Sequence, residues 1–317
     1  MNPKFATPLQ LQAKQNSSLI RLLAFSLLLF FLVPAGVFSA PGTDFAVGKQ
    51  PVRMTFDGEN VWVTNAGSHT VTKILTSDGT TVGEFPVGRA PIGITFDGEN
   101  IWVANRSGGT VSKLRARDGE TLGTFEVDSE PFGITYDRAH IWVTQRQSNT
   151  VTKLRASDGA TVGRFSVGEV PVAVVSDGTD LWVANRDGHT VTKLQTDGTI
   201  LATIEVGQTP VGLAFDGENI WVGNFRSDAV MKLRPSDGAT LGTFSVGERP
   251  RSQIAFDGTH IWVTNSVGNT VTRLRASDGV IVETLAVGKG PRAVVFDGSR
   301  IWVGNYLSNT VTRIEVE

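Results

Sequence analysis

Seven copies of a unit of about 40 residues, each reading as four short strands, predict an all-β chain folded as a seven-bladed β-propeller with four antiparallel strands per blade. Three observations carry this expectation. All seven Trp fall at 62, 102, 142, 182, 221, 262 and 302, a near-constant spacing. Each copy repeats the same order of apolar runs and turn residues. Beyond the N-terminal segment no stretch sustains a 3.6-residue apolar period, so no helix is expected there.

The four strands of a copy are designated a to d. Strand a opens at a Pro (51, 91, 131, 171, 210, 250 or 291), a position where no ladder N–H is needed. A turn follows, usually Phe-Asp-Gly, carrying Asp57, Asp97, Asp137, Asp177, Asp216, Asp257 or Asp297. Asp before Gly caps its own turn. Calcium is the alternative role, but these carboxylates sit on separate blades without the dense spacing of a calcium loop. Strand b is "VWVTN" or a variant. Its Trp is expected as a wedge between sheets, because a blade buries its faces only against its neighbours. Asn ends this strand in six copies (65, 105, 185, 224, 265, 305) and Gln145 in the third; a loop-capping role is expected. Strand c reads "TVTKL", and a second Asp-Gly turn leads to strand d, as in "TVGEFPVG" (81–88).

The two ends supply an independent check. The last copy has strands a, b and c, and then the sequence stops. "GTDFAVGKQP" (42–51) matches the d segment "VGEFPVGRAP" (82–91). The N-terminal strand is therefore expected to complete the last blade, which closes the ring and removes open sheet edges. Residues 41–317 read as one domain and the expected state is a monomer.

Residues 1–40 speak about address. Lys4, Lys14 and Arg21 precede "LLAFSLLLFFLV" (22–33), and "PAGVFSA" (34–40) ends in small residues. This is the pattern of a secretory signal cleaved after Ser39 or Ala40. An uncleaved anchor is the alternative, and only then would a membrane be involved. Either way the expected location is extracytoplasmic: periplasmic, secreted or at the cell surface. The formal net charge of -2 and the absence of a basic tail point away from nucleic acid. With no Cys, there is neither a disulfide framework nor a thiolate metal site.

The repeat core "WVTNSVGNTVTRLRASDGVIVETLAVGKGPRAVVFDG" (262–298) resembles the YVTN family of β-propeller proteins, a bacterial and archaeal extracytoplasmic group with surface-layer and periplasmic members. The resemblance spans 42–317 and implies the fold. It does not fix function. NHL-repeat proteins, streptogramin lyases and some propeller lactonases are similar in shape.

What all copies share is architecture, so function is sought where copies differ. Loops d–a and b–c share one face, the top; loops a–b and c–d share the bottom. The top d–a loops carry Lys49 with Arg53, Arg89, Arg249 with Arg251, and Lys289 with Arg292, at the starts of blades one, two, six and seven. Loops b–c add Arg106, Arg146, Arg186 and Arg226. Acids on this face (Asp128, Glu130, Glu169, Asp187, Asp228, Glu248) lie mostly toward blades three to five, so a basic arc facing a more acidic sector is expected. Arg53, Arg251 and Arg292 sit beside the strand-a Pro, near the axis, and three guanidiniums there suit a carboxylate or phosphate. The alternative is a solvated rim paired with neighbouring Glu. Blade six has one extra residue, "PRSQIAF" against "PVGLAF", within the same arc.

No catalytic residue and no metal ligand stands out. His140 and His260 lie in bottom turns, while His69 and His189 lie in b–c loops of blades one and four, nearly opposite each other. Such a separation does not make a catalytic pair. Streptogramin lyases resemble a case of His and acidic groups at the top with Mg²⁺, and this chain has no His in its d–a loops. No G-x-S-x-G, H-E-x-x-H or phosphate loop occurs. The reading is an exported binding or scaffold protein that engages an anionic glycan, peptide or protein surface through the basic arc, without a cofactor. The alternative is a streptogramin lyase-like or lactonase-like metal-dependent enzyme using the same mouth.

Overall fold

The computed structural model describes residues 37–38 and 42–316. The expected signal or anchor lies outside them, apart from a two-residue strand, Val37–Phe38, paired parallel with Ile281–Ala286.

The described residues form strands joined by turns, with no helix. In blade one, Pro51–Phe56, Asn60–Asn65, Thr70–Leu75 and Thr81–Pro86 lie side by side in that order, each antiparallel to the next. The same order recurs in the sheets starting at Pro91, Pro131, Pro171, Pro210 and Pro250. Blade seven consists of Pro291–Phe296, Arg300–Asn305 and Thr310–Glu315, completed by Thr43–Ala46, with Thr43 opposite Arg313 and Ala46 opposite Thr310. The a strands contact one another in sequence, and the seventh contacts the first, so the ring is closed. They pack so tightly that a Cβ on Gly93 would lie 2.3 Å from the Phe132 carbonyl oxygen.

The Trp residues are wedges. Trp62 packs against Ile101, Val103 and Leu114 of blade two, and the other six make equivalent contacts with the next blade. All seven are essentially fully buried. The turn Asp has a second role beyond its turn. Each Trp indole N–H donates to it, as from Trp62 Nε1 to Asp57 Oδ2 at 2.7 Å, so a buried donor is satisfied. Phe85 on strand d packs against Trp62 in a tilted arrangement with ring centroids 5.5 Å apart, and Phe45 does the same for Trp302 across the closure. Lys73 Nζ lies over Trp62 and donates to the Ala116 carbonyl of blade two, stitching adjacent sheets.

The strand-b Asn is a latch between strands. Asn105 Nδ2 donates to Thr110 Oγ1 at 3.1 Å and Ser112 Oγ at 2.9 Å on strand c. Blade five has Ala229 and Met231 at these places, and Asn224 is left with a 3.4 Å contact to the Val222 carbonyl. Gln145 in blade three also has a structural reason. A Cβ on Gly88 would fall 2.5 Å from the Asn105 side chain, and Gly48, Gly168, Gly207, Gly247 and Gly288 press on their Asn in the same way. Blade three alone carries Asp128 at this Gly position, and it alone replaces Asn with Gln.

Candidate functional site at the channel mouth

The residue before each strand-a Pro sets the geometry of the top face. Gln50, Ala90, Glu130, Val170, Thr209 and Arg249 all have φ between 52° and 60°, and Gly290 has φ 62°. This left-handed turn aims each carbonyl at the first residue beyond strand b. Arg106, Arg146 and Arg186 donate their N–H groups to Ala90, Glu130 and Val170 at 3.0, 3.1 and 3.0 Å. Their backbones are thereby held at the rim of the axis. In blades six and seven the basic residue comes instead from the position after the Pro, as Arg251 and Arg292.

Arg106, Arg146, Arg186, Arg251 and Arg292 line one cavity of about 190 Å³ on the axis, together with Val52, Ile92, Phe132, Val172 and Val211. No carboxylate lines it. Aromatic rings brace the guanidiniums: Phe132 under Arg146 at 5.1 Å, Phe225 under Arg251 at 4.6 Å and Tyr306 under Arg292 at 3.3 Å. Burial, followed by the charges of Arg292 and Arg249, pushes the Arg251 guanidinium down to about 10. Burial also lowers Arg146, with Arg186 beside it adding to the shift, and it lowers Arg292. Arg186 differs, because the hydrogen bond from its guanidinium to Asp187 holds it above the ordinary value.

The sequence-level candidates divide. Arg251 and Arg292 are in the mouth. Arg53 lies one residue deeper and is 8% exposed; its Nη2 donates to the Val172 carbonyl at 3.0 Å, across the ring. Burial pushes its guanidinium down to about 10. Gln253, supplied by the extra residue of blade six, also crosses the interior. It accepts from Met54 N at 3.0 Å and donates to Met54 O at 2.6 Å. Lys49, Arg89, Arg249 and Lys289 are exposed on the d–a loops and do not line this cavity. Arg249 approaches the Phe225 ring at 5.3 Å, and Lys49 borders a separate groove beside Tyr306.

The expected acidic sector does not extend to the mouth. Asp128 pairs with Arg164 at 3.3 Å, Glu130 with Arg146 at 3.6 Å and Asp187 with Arg186 at 2.7 Å. Two of these partners, Arg146 and Arg186, themselves line the cavity, so Glu130 and Asp187 are paired to the lining although they are not part of it; the arginines surround the axis instead of forming an arc. The signal for Arg106, Arg146 and Arg186 was the residue after strand b, which varies (Ala66, Arg106, Arg146, Arg186, Phe225, Ser266, Tyr306) amid uniform text.

A wider groove of about 590 Å³ leads outward over blades four and five, sharing Arg186, Val211 and Arg251 with the mouth. His69 and His189 are used locally. Their Nδ1 atoms accept the N–H groups of Ala90 and Thr209 at 3.1 and 3.2 Å. Among the described residues, no group of three or more His, Asp or Glu is placed to hold a metal ion.

No protein-family model and no curated protein sequence matches the chain. Solved structures do. A catalytically inactive virginiamycin B lyase from Staphylococcus aureus with quinupristin aligns at TM-score 0.77 and 19% identity, over 87% of this chain and 99% of that one. A streptogramin B lyase aligns at 0.76 and 19%, over 87% and 97%. Hydrazine synthase of Kuenenia stuttgartiensis aligns at 0.75 and 18%, over 90% and 99%. At these identities the likeness is one of fold: the chain is a seven-bladed β-propeller related in shape to streptogramin lyase propellers.

Proposed function

We propose that the chain is an exported, YVTN-type propeller that binds an anionic group of a ligand or partner in the top mouth, acting as a binding or scaffold protein. One observation carries this reading: five guanidiniums and no carboxylate line a single axial cavity. An anion can pair with several of these half-buried donors at once, adding to the carboxylate partners that Arg146 and Arg186 already have. The crossing of Arg53 and Gln253 favours a ligand held at the mouth over one threading the ring. A lyase- or lactonase-like enzyme remains the competing reading, and it rests on fold likeness alone.

The test is a thermal shift of the full chain with citrate, sulfate and chloride at matched ionic strength, repeated with Arg251→Ala/Arg292→Ala. Specific stabilisation by citrate or sulfate that the double variant loses supports the reading. Identical behaviour of both proteins sinks it. Export is tested by expressing the chain in a bacterium and sequencing the N-terminus of the protein found outside the cytoplasm; a start at Ala40 or Pro41 is expected.

A further inference from the structure

The mouth has two chemistries in one small space. Its basic half is made by the arginines, and its apolar half by Val52, Ile92, Phe132, Val172 and Val211. Its volume of about 190 Å³ compares with ~30 Å³ for one water, so it holds roughly six waters. A drug-sized pocket runs to about 300 Å³ or more, so the occupant is one small group. A free sulfate or phosphate would leave the apolar wall wet. A neutral apolar group would offer the half-buried guanidiniums of the lining no acceptor. The matching occupant has an anion and an apolar body joined within one or two bonds.

The groove over blades four and five adds a direction. It opens from the mouth at Arg186, Val211 and Arg251 and passes Asp187, His189 and Thr209. It is lined by polar side chains, Arg226 among them, beside the Phe225 ring, and at about 590 Å³ it has room for an extended segment continuing from the mouth. An acidic oligosaccharide carries its charges along its length and has no apolar end for the mouth.

We propose, resting on the anion-site reading above, that the mouth captures the free carboxy-terminus of an extended peptide. The carboxylate lies against Arg251 and Arg292, the last side chain is apolar and packs on the Val172 and Val211 wall, and the preceding residues run outward along the groove past Arg186, whose guanidinium already binds Asp187. Recognition of a chain end by its carboxylate is a recurring binding mode.

The test uses fluorescence anisotropy of the full chain with a labelled hexapeptide, Gly-Ser-Gly-Ser-Ala-Leu. It is run with a free carboxylate, with a terminal amide, and with terminal Gly in place of Leu. A hyaluronate tetrasaccharide serves as competitor. Losing charge-assisted hydrogen bonds predicts at least about tenfold weaker binding for the amide. Losing the buried side chain predicts a loss of about tenfold for the Gly peptide. Arg251→Ala, checked by its melting curve, should weaken the free-acid peptide about tenfold or more. Arg226→Ala, at a side chain that lines the groove but not the mouth, should weaken the hexapeptide while leaving labelled acetyl-leucine unchanged, which reports the groove. Equal binding of acid and amide overturns the proposal. If the tetrasaccharide binds in an Arg251-dependent way and no peptide does, the peptide inference fails while the anion site stands. If neither binds and sulfate gives no shift, both fall.

Discussion

Arg53 on the inner strand of blade one donates through Nη2 to the carbonyl oxygen of Val172 on the inner strand of blade four, at 3.0 Å. The bond joins strands on opposite sides of the ring, and the guanidinium also lies over Phe132 of blade three at 5.7 Å. Arg53 is therefore a cross-brace. Truncation to Ala should destabilise the fold by about 2–4 kcal/mol, from the lost charged hydrogen bond and lost packing. Arg53→Met, which keeps the bulk, should cost less. Urea unfolding measures both, and an Ala variant as stable as the parent removes the brace.

The mouth arginines should behave oppositely. Arg251→Ala and Arg292→Ala remove half-buried cations that burial disfavours, so each should alter stability by less than about 1 kcal/mol. Anion binding should fall about tenfold per site, while Arg53→Met leaves it within twofold. Isothermal titration with citrate separates the two classes. A larger binding loss for Arg53→Met than for Arg251→Ala would reverse the assignment.

The turn carboxylates predict the acid limb. Burial alone would raise Asp137 and Asp257, but indole N–H donors from Trp142 and Trp262 and backbone donors from His140 and His260 outweigh it. Both carboxyls therefore lie below the ordinary 3.8. With the folded value below the unfolded one, their stabilisation is fully present above about pH 4 and is lost as pH falls through the folded value. Asp137→Asn should cost about 1–2 kcal/mol at pH 7. Its deficit against the parent should shrink below pH 4, as read by unfolding across pH 2–7. A pH-independent deficit refutes the linkage.

The pairing of Gly88 with Asn105 is a packing constraint that one blade has already solved. Gly88→Ala and Asn105→Gln should each destabilise by about 1–3 kcal/mol, by overpacking and by loss of the latch. The double variant should recover part of this, with a coupling of about 1 kcal/mol or more. Simple additivity would mean that Asp128 and Gln145 in blade three are unrelated.

Val170 is a β-branched residue at φ 53° before Pro171, and its carbonyl holds Arg186. Val170→Gly should stabilise by about 0.5–1 kcal/mol, relieved steric strain exceeding the added chain entropy. The melting temperature should rise by about 2 °C. Gly290→Ala should do the reverse, since its Cβ would sit 2.9 Å from the Leu307 side chain. A fall in melting temperature for Val170→Gly would show that no relievable strain resides there.

The sequence by itself determined the ring. Trp spacing, turn residues and alternating apolar positions are local signals repeated seven times, and ring closure by the segment around Phe45 followed from matching 42–51 to 82–91. Local chemistry also marked the turn Asp and the Asn of strand b, although the indole and strand-c partners emerged only in three dimensions. Tertiary structure alone decided which arginines meet. A repeat position fixes height along a blade and direction from a strand, but radial reach and the gap across the axis depend on ring curvature. Arg53 follows its Pro by two residues and Arg251 by one; the offset is legible in the sequence, but only the tertiary structure shows that it sends Arg53 across the interior and leaves Arg251 at the mouth. Arg106, Arg146 and Arg186 reach the same cavity from a different strand because a left-handed turn before each Pro points their backbones there.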